Sequence, residues 1–548
     1  MTGAKIVIEC LHECGVDTVF GFPGGAVIPL YDALYDEKYP IKHYRTCHEQ
    51  GAVHAADGYA RTTGKVGVCI VTSGPGATNT ITGIATAYMD SMPLVIITGQ
   101  VSRALLGRDS FQEVDITAMT LTITKHCEMV KSIEQLPQTL RRAFEIARSG
   151  RPGPVLIDIP KDIMMQLGDY EADLSSLEIG CSSNNQMDAT LFSEATQALK
   201  NAKRPHILAG GGVIIAEGSK SLLNFATKHN IPVANTLMGS GAFPQNHPLS
   251  LGMVGMHGSK KANTALTGAD VILAVGVRFS DRVIGAVEKF CPSAQIIQVD
   301  IDINEVGKNK EVAFPIVGDI CDVLKQIDDA LGDKVWHAIS TGPFAEDGRK
   351  KSLAEQMLGS IKKAFSEDAI VVTEVGQHQM WTAQYYGFEK PRTFITSGGL
   401  GTMGFGLGAA IGAQVGNPEK QVIHIAGDGS FKMNSNELGT VSKYGLPIRT
   451  FIFNNNALGM VRQWQRLFCS GRFSETDGDD SVDFVKLAAA YGIEGYRVQT
   501  IEALEKVLEQ TKNCPTPILV DCIIDHDDDV YPIIPPGNGL AEMIMSRE

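Results

Sequence analysis

Short runs of consecutive apolar residues, rich in valine and isoleucine, recur along the whole chain. They read VGVCIVT (66–72), PLVIITG (93–99), PVLIDIP (154–160), DVILAVGVR (270–278), AQIIQVDID (294–302), AIVVTEVG (369–376), QVIHIAGDG (421–429), IRTFIFNNN (448–456) and PILVDCII (517–524). Continuous rather than alternating hydrophobicity marks strands buried on both faces. Between them lie helical segments such as EQLPQTLRRAFEIARSG (134–150) and VDFVKLAAAYG (482–492). This alternation predicts an α/β protein built on doubly wound parallel sheets. Polar stretches break the pattern at 166–187 and 333–352, so three units are predicted, over 1–165, 187–335 and 353–548. Each has an ordinary domain size.

Composition narrows the classes. The net charge of −14 argues against a protein that grips nucleic-acid phosphates, and no nucleic-acid partner is expected. Glycine is the outlier, at 57 of 548 residues, against roughly 7 % in an average protein. There is no collagen period, so the excess points to close approaches to main chain. The eleven cysteines are scattered without a CxxC pair, which suggests no disulfide framework or zinc site. A reduced, cytoplasmic setting fits that usage. The start, MTGAKIVIECLHECG, carries Glu9 and Glu13 and reads as neither signal nor transit peptide. The uncharged stretch 393–418 holds eight glycines, and it is read as buried backbone rather than a membrane span.

The chemistry begins at Gly427-Asp428-Gly429, which closes one apolar run; after 24 intervening residues Asn454-Asn455 closes the next. Alone, either would be an ordinary turn. Together they sit at the carboxyl ends of two strands, where parallel sheets bind ligands. A carboxylate and an amide oxygen suit Mg²⁺, which fills its shell with phosphate and water. The flanking glycines admit a diphosphate. This GDG…NN spacing resembles that of thiamin-diphosphate (ThDP) enzymes, and the resemblance implies Asp428, Asn455 and the carbonyl of Ala457 as metal ligands. Such enzymes also use an early glutamate that holds a proton at the aminopyrimidine ring. Glu49, in CHEQGA before AADGYAR, is the candidate.

With these residues placed, the chain resembles the acetohydroxyacid synthase (acetolactate synthase) large-subunit family over nearly its full length. The segments are GFPGGAVIPLYDAL (21–34), HEQGAVHAADGYAR (48–61), VTSGPGATN (71–79), FQEVD (111–115), GRPGPVLIDIPKD (150–162), LGMVGMHG (251–258), VRFSDRVIG (277–285), GLGTMGFGLGAAIGA (399–413), LGMVRQWQRLF (458–468) and VYPIIPPG (530–537). The resemblance implies a pyrimidine-binding, a central and a diphosphate-binding domain, with the outer two related. It implies a homodimer or homotetramer with the site at a subunit interface, and a possible regulatory small subunit. The implied reaction decarboxylates pyruvate and joins the two-carbon unit to a second pyruvate or to 2-ketobutyrate. The products, 2-acetolactate and 2-aceto-2-hydroxybutyrate, lead to valine, leucine and isoleucine.

Carried over residue by residue, Gly24, Gly25 and Ala26 flank the reacting carbon, where N–H groups steady oxyanion charge. Phe111, Gln112 and Lys161 line the substrate channel, and Arg282 pairs with the acceptor carboxylate. Trp464 and Met460, four apart on one helical face, meet its alkyl group, with Met256 nearby. Val375 props ThDP bent, and Met403 with Gly401 backs its pyrimidine. Gly376, Gln377, His378, Gly427, Gly429, Ser430, Leu458 and Gly459 complete the cofactor set. A structural, non-redox FAD is implied in the central unit at Gly210-Gly211-Gly212, Thr236-Leu237, Met256-His257, Gly276, Arg278, Asp281, Arg282, Asp300 and Asp319. GxGxxG is absent there, and the triple glycine by itself is a slight phosphate signal. Ser280 replaces an aspartate of the family's RFDDR, and Gly408 replaces a proline of GFGLPAA. Rival readings are a catabolic FAD-free acetolactate synthase, a sister ThDP decarboxylase or carboligase, and a non-catalytic ThDP-fold regulator. VRFSDRV and the central glycines oppose the first, Arg282 with Trp464 the second, and Glu49 with an intact metal set the third.

Overall fold

The computed structural model describes residues 1–35, 39–172, 188–337, 351–478 and 482–547. Much of the two predicted breaks, at 173–187 and 338–350, lies outside them. Among the described residues eighteen strands form three six-stranded sheets. The first contains β1 (Thr18–Phe22), β2 (Lys42–Arg45), β3 (Gly67–Val71), β4 (Leu94–Gln100), β5 (His126–Met129) and β6 (Pro154–Pro160). The second contains β7 (Pro205–Ala209), β8 (Val233–Asn235), β9 (Ser250–Met253), β10 (Val271–Val275), β11 (Gln295–Asp300) and β12 (Phe314–Val317). The third contains β13 (Ile370–Thr373), β14 (Phe394–Ile395), β15 (Val422–Gly427), β16 (Arg449–Asn454), β17 (Glu494–Val498) and β18 (Ile518–Ile523). All neighbouring strands run parallel.

The apolar runs become interior strands, as burial on both faces requires. The edge strands carry no such signal: Lys42–Arg45 and Glu494–Val498 are largely half-exposed and polar. Strand order reads β2-β1-β3-β4-β6-β5 in the first sheet and β14-β13-β15-β16-β18-β17 in the third, so the outer sheets repeat one another strand for strand. The middle order, β9-β8-β7-β10-β11-β12, is the 3-2-1-4-5-6 order of dinucleotide-binding sheets.

The outer units are joined through glycine. Helix Glu49–Thr63 lies along helix Gly406–Gly416. A Cβ on Gly412 would stand 1.8 Å from the carbonyl oxygen of Ala55, and one on Gly58 would stand 2.1 Å from that of Ala409. Within the uncharged stretch 393–418, a short strand edges the third sheet and helix Gly406–Gly416 is buried between the two units. Gly408 belongs to the same contact: a Cβ there would reach His54 Cβ at 2.8 Å. Among the described residues no helix is long and apolar enough to cross a membrane. After β18 the chain leaves its own sheet. Ile534 and Leu540 are buried with Leu208, Phe279 and Phe290 of the middle unit, and the Ile534 N–H donates to Met256 O at 3.0 Å.

Candidate active site

The third sheet reverses its order between β13 and β15, the place where such sheets form a ligand crevice. Strand β13 delivers Glu374 to His378, β15 delivers Gly427 to Gly429, and β16 delivers Asn454 to Ala457. Asp428 is buried, and that burial pushes its pKa up to about 6, with Lys432 pulling the other way. Asn455 donates its amide N–H to Gln377 Oε1 at 3.0 Å, which leaves the amide carbonyl as its acceptor end. Gln377 is held in turn by donating to the carbonyl of Asp528 at 2.7 Å. His526 Nδ1 lies 2.8 Å from the Asn455 carbonyl oxygen, and Ala457 pairs with Asp477 in an isolated bridge.

The other predicted cofactor residues gather here. Leu458 Cδ2 lies 2.7 Å, and Met403 Cε 4.0 Å, from where a Cβ on Gly429 would stand. Val375 Cγ1 is 4.0 Å from the corresponding point on Gly401. Ser430 donates to the Gly427 carbonyl at 3.2 Å. Met460 packs on the apolar core of this unit. His378 is packed against Gly427, and burial drives its pKa down to about 3, so the ring is neutral. Its Nε2 is buried without a partner. The glycine loop offers the room a diphosphate needs: a Cβ on Gly427 would meet His378 Nδ1 at 2.7 Å, and one on Gly429 would meet Leu458, so only bare main chain fits there. One carboxylate, one amide oxygen and one main-chain carbonyl fit Mg²⁺, which takes few protein oxygens. Glu374, which the sequence reading passed over, accepts the N–H groups of Gly404 (2.7 Å) and Leu407 (3.2 Å) and anchors the wall that carries Met403.

The first sheet has the matching crevice between β1 and β3. Ala26 N–H donates to Thr72 Oγ at 3.3 Å. A Cβ on Gly24 would meet Thr72 at 2.5 Å, and one on Gly76 would stand 3.3 Å from Glu49 Oε1. Glu49 opens its helix, is half-buried, and accepts from Asn79 Nδ2 at 2.9 Å. Asn79 lies inside the quoted VTSGPGATN, but nothing local marks it as the partner of a residue 30 positions away. Gln112 folds over Gly74 with a positive φ of 62°. Phe111 beside it is 88 % exposed, and Lys161 follows β6 at its carboxyl end. No hydrogen bond or ion pair among the described residues joins Glu49 to Asp428 or Asn455.

A third group forms where the middle unit meets the C-terminal one. Met256, Asp281, Arg282, Gly285 and the tail Ile534–Gly537 line a pocket of about 170 Å³. The Arg282 guanidinium stands over the Trp464 ring. Its contact with Asp281 is loose, at 3.6 Å between two exposed side chains, so the fork is not consumed by that pair. His257 beside it is buried and neutral, its pKa pushed down to about 4 by burial and by Arg282.

In the middle unit, the loops after β7 and β10 cross closely. Cβ atoms on Gly210 and Gly212 would stand 2.0 Å and 2.6 Å from atoms of Gly276, so these glycines are also needed for loop packing. Gly211 faces Met238 at 3.1 Å. Thr236 caps the short helix that starts at Leu237, and Asp319 caps helix Ile320–Leu331 by accepting from Cys321 N–H at 2.8 Å. Arg278 reaches the N-terminal unit, donating to the carbonyl of Met89. Asp300 is buried at the end of β11, with its pKa raised to about 6 by burial.

Comparison with known proteins agrees with this geometry. The N-terminal TPP (thiamine pyrophosphate) binding domain of thiamine pyrophosphate enzymes matches residues 1–119, their central domain 192–327, and their C-terminal TPP binding domain 374–522. The acetolactate synthase isozyme 2 large subunit of Escherichia coli is 44 % identical over 99 % of each chain. The acetolactate synthase large subunit of Haemophilus influenzae is 43 % identical over 100 % of this chain and 98 % of its own, and the acetolactate synthase of Arthrospira platensis 43 % over 99 % and 98 %. Three parallel sheets in the matching order, crevices at the ends of the outer two, and likeness over the full length place the chain in the acetolactate synthase large-subunit family of thiamine pyrophosphate enzymes.

Proposed function

We propose that this chain is the catalytic subunit of a biosynthetic acetolactate synthase. It decarboxylates pyruvate and condenses the two-carbon unit with pyruvate or 2-ketobutyrate, feeding valine, leucine and isoleucine synthesis. The observation that carries this reading is the contact of Arg282, which lines the pocket, with the Trp464 ring: a charge for the acceptor carboxylate beside a flat apolar face for its alkyl group.

Asp428, Asn455 and the Ala457 carbonyl would hold Mg²⁺, with Gln377 and His378 toward the diphosphate. When bound, ThDP supplies a thiazolium that takes up the electron pair released as carbon dioxide leaves. Glu49 holds a proton at the aminopyrimidine. Its hydrogen bond from Asn79 keeps the carboxyl aimed. The Gly24 and Gly25 N–H groups offer donors to developing oxyanion charge, and Ala26, whose own N–H is held by Thr72, fixes the loop that carries them. Gln112, Phe111 and Lys161 border the approach, and Arg282 orients the acceptor. FAD is assigned to the middle unit as a structural group, supported by that sheet's dinucleotide strand order and the buried Asp300. The domain limits are taken as 1–165, 187–335 and 353–548. The assembly is a homodimer or homotetramer in the cytoplasm, with a small regulatory subunit suggested by the relatives' naming as large subunits.

The test is a competition assay with pyruvate and 2-ketobutyrate, with and without FAD, quantifying both acetohydroxy acids. Both products should form, and Glu49→Gln should lower turnover by about 10²–10⁴ while leaving the fold intact. Wild-type turnover in that variant would sink the mechanism. Colourless protein with full activity would point to the FAD-free class.

A further inference from the structure

Resting on the reading of Glu49 just given, we propose that Glu437 is the positioning residue for Glu49: from the C-terminal unit it anchors the main chain on which Glu49 stands. Glu437 is fully buried (0 % exposed) at the end of the turn Ser435–Glu437. Its Oε1 accepts the N–H of His48 at 3.0 Å and that of Cys47 at 3.2 Å. Its Oε2 accepts the Cys47 N–H at 3.1 Å and the Thr440 hydroxyl at 2.6 Å. The two residues immediately before Glu49 thus point both amides at one carboxylate. That fixes the direction in which the chain enters helix Glu49–Thr63.

The environment is built around this carboxylate. A Cβ on Gly51 would stand 2.2 Å from Glu437 Oε1 and 2.6 Å from its Cδ, so the residue two beyond Glu49 has no side chain where Glu437 lies. Among the described residues Glu437 makes no ion pair; burial raises its pKa, and the charge of Glu49 adds to it. A buried carboxylate outside an ion pair persists only where its lone pairs are filled, and here the Cys47 and His48 amides of the Glu49 segment fill them together with the neighbouring Thr440 hydroxyl and Asn436 amide. Glu49 then stands between two tethers. Asn79 holds its carboxylate, and Glu437 holds its main chain. The second tether belongs to the unit that carries Asp428 and Asn455, so the half-site for the diphosphate sets the place of a residue belonging to the other half-site.

The experiment uses the full chain and the variants Glu437→Gln, Gly51→Ala and Glu49→Gln. Three quantities are read: amide exchange of the peptide spanning Cys47–Gln50 without cofactor, ThDP affinity at fixed Mg²⁺, and the rate of hydrogen exchange at the ThDP C2 position. Glu437→Gln and Gly51→Ala should expose the Cys47 and His48 amides, leave ThDP affinity near wild type, and slow C2 exchange about tenfold or more, as loss of an outer-shell support does. Gly51→Ala guards against a misfolded glutamine variant, because alanine otherwise favours a helix. Unchanged amide protection and C2 exchange in the folded variants would overturn the proposal. So would a parallel collapse of ThDP affinity, which marks a general structural role. Wild-type C2 exchange in Glu49→Gln would instead refute the reading of Glu49 on which the proposal rests.

Discussion

The guanidinium carbon of Arg282 lies 6.0 Å from the centroid of the Trp464 ring. Arg282 belongs to the short helix Asp281–Ile284 of the middle unit, and Trp464 to helix Gly459–Phe468 of the C-terminal one. Trp464 is steadied by an edge contact with Phe468 at 5.1 Å. The helix beneath is clamped to the chain after β18: Arg462 donates to Asp527 at 2.9 Å, and Gln463 Nε2 to the Val530 carbonyl at 2.9 Å. A cation over an indole face is worth about 0.5–1 kcal/mol at an exposed site. The contact is thus firm enough to orient the guanidinium and slight enough to let it engage a carboxylate.

Replacing Trp464 with Leu removes the flat face and keeps an apolar side chain. The preference for 2-ketobutyrate over pyruvate should fall by about tenfold, the scale of one methylene in an apolar pocket. The product ratio in the competition assay measures it, and an unchanged ratio removes Trp464 from acceptor choice. Arg282→Lys should raise the acceptor KM, because an ammonium cannot reproduce the bidentate fork.

Gly459 tests the metal side. A Cβ there would stand 1.9 Å from Gln377 Oε1 and 2.6 Å from Asn455 Nδ2. Gly459→Ala must break or bend the bond between those two amides, releasing the rotation of Asn455. Mg²⁺ and ThDP affinity should fall about 10–100-fold, as expected for outer-shell partners of a metal ligand. Titration calorimetry at fixed ThDP reads it, and affinity equal to wild type would show that the Gln377–Asn455 bond does not orient the ligand.

Asp158 sets a pH dependence away from the site. It is buried in β6, accepting from Thr98 Oγ at 2.7 Å and Gln100 Nε2 at 2.9 Å, and burial raises its pKa to about 7. In the unfolded chain the same carboxyl ionises near ~4. Between those values unfolding releases a proton, so this group's contribution to stability falls as pH rises from about 4 to about 7 and is flat above. Asp158→Asn can donate to Thr98 Oγ and accept from Gln100. Its melting temperature should exceed wild type at pH 8 and differ less at pH 5; equal shifts at both would deny the titration.

The interior strands, their parallel direction and the pairing of GDG with NN were legible in the sequence, because each depends on a few consecutive residues. Burial on both faces writes itself as an unbroken run of valine and isoleucine, and a tight turn at the end of a strand writes itself as glycine beside aspartate. Half-exposed edge strands such as β2 leave no such mark. The partners of the key groups were equally silent: Asn79 for Glu49, Gln377 for Asn455, and Glu437 for the Cys47 and His48 amides are separated by 30, 78 and about 390 residues. The sequence by itself determined the family to which the chain belongs and which loops are the candidates for its chemistry. Only the tertiary structure decided which glycines serve packing, how the tail after β18 reaches the middle unit, and that Arg282 meets Trp464. Hydrogen bonds and steric contacts are settled by distance in space, and no spacing along a chain encodes a distance across two units.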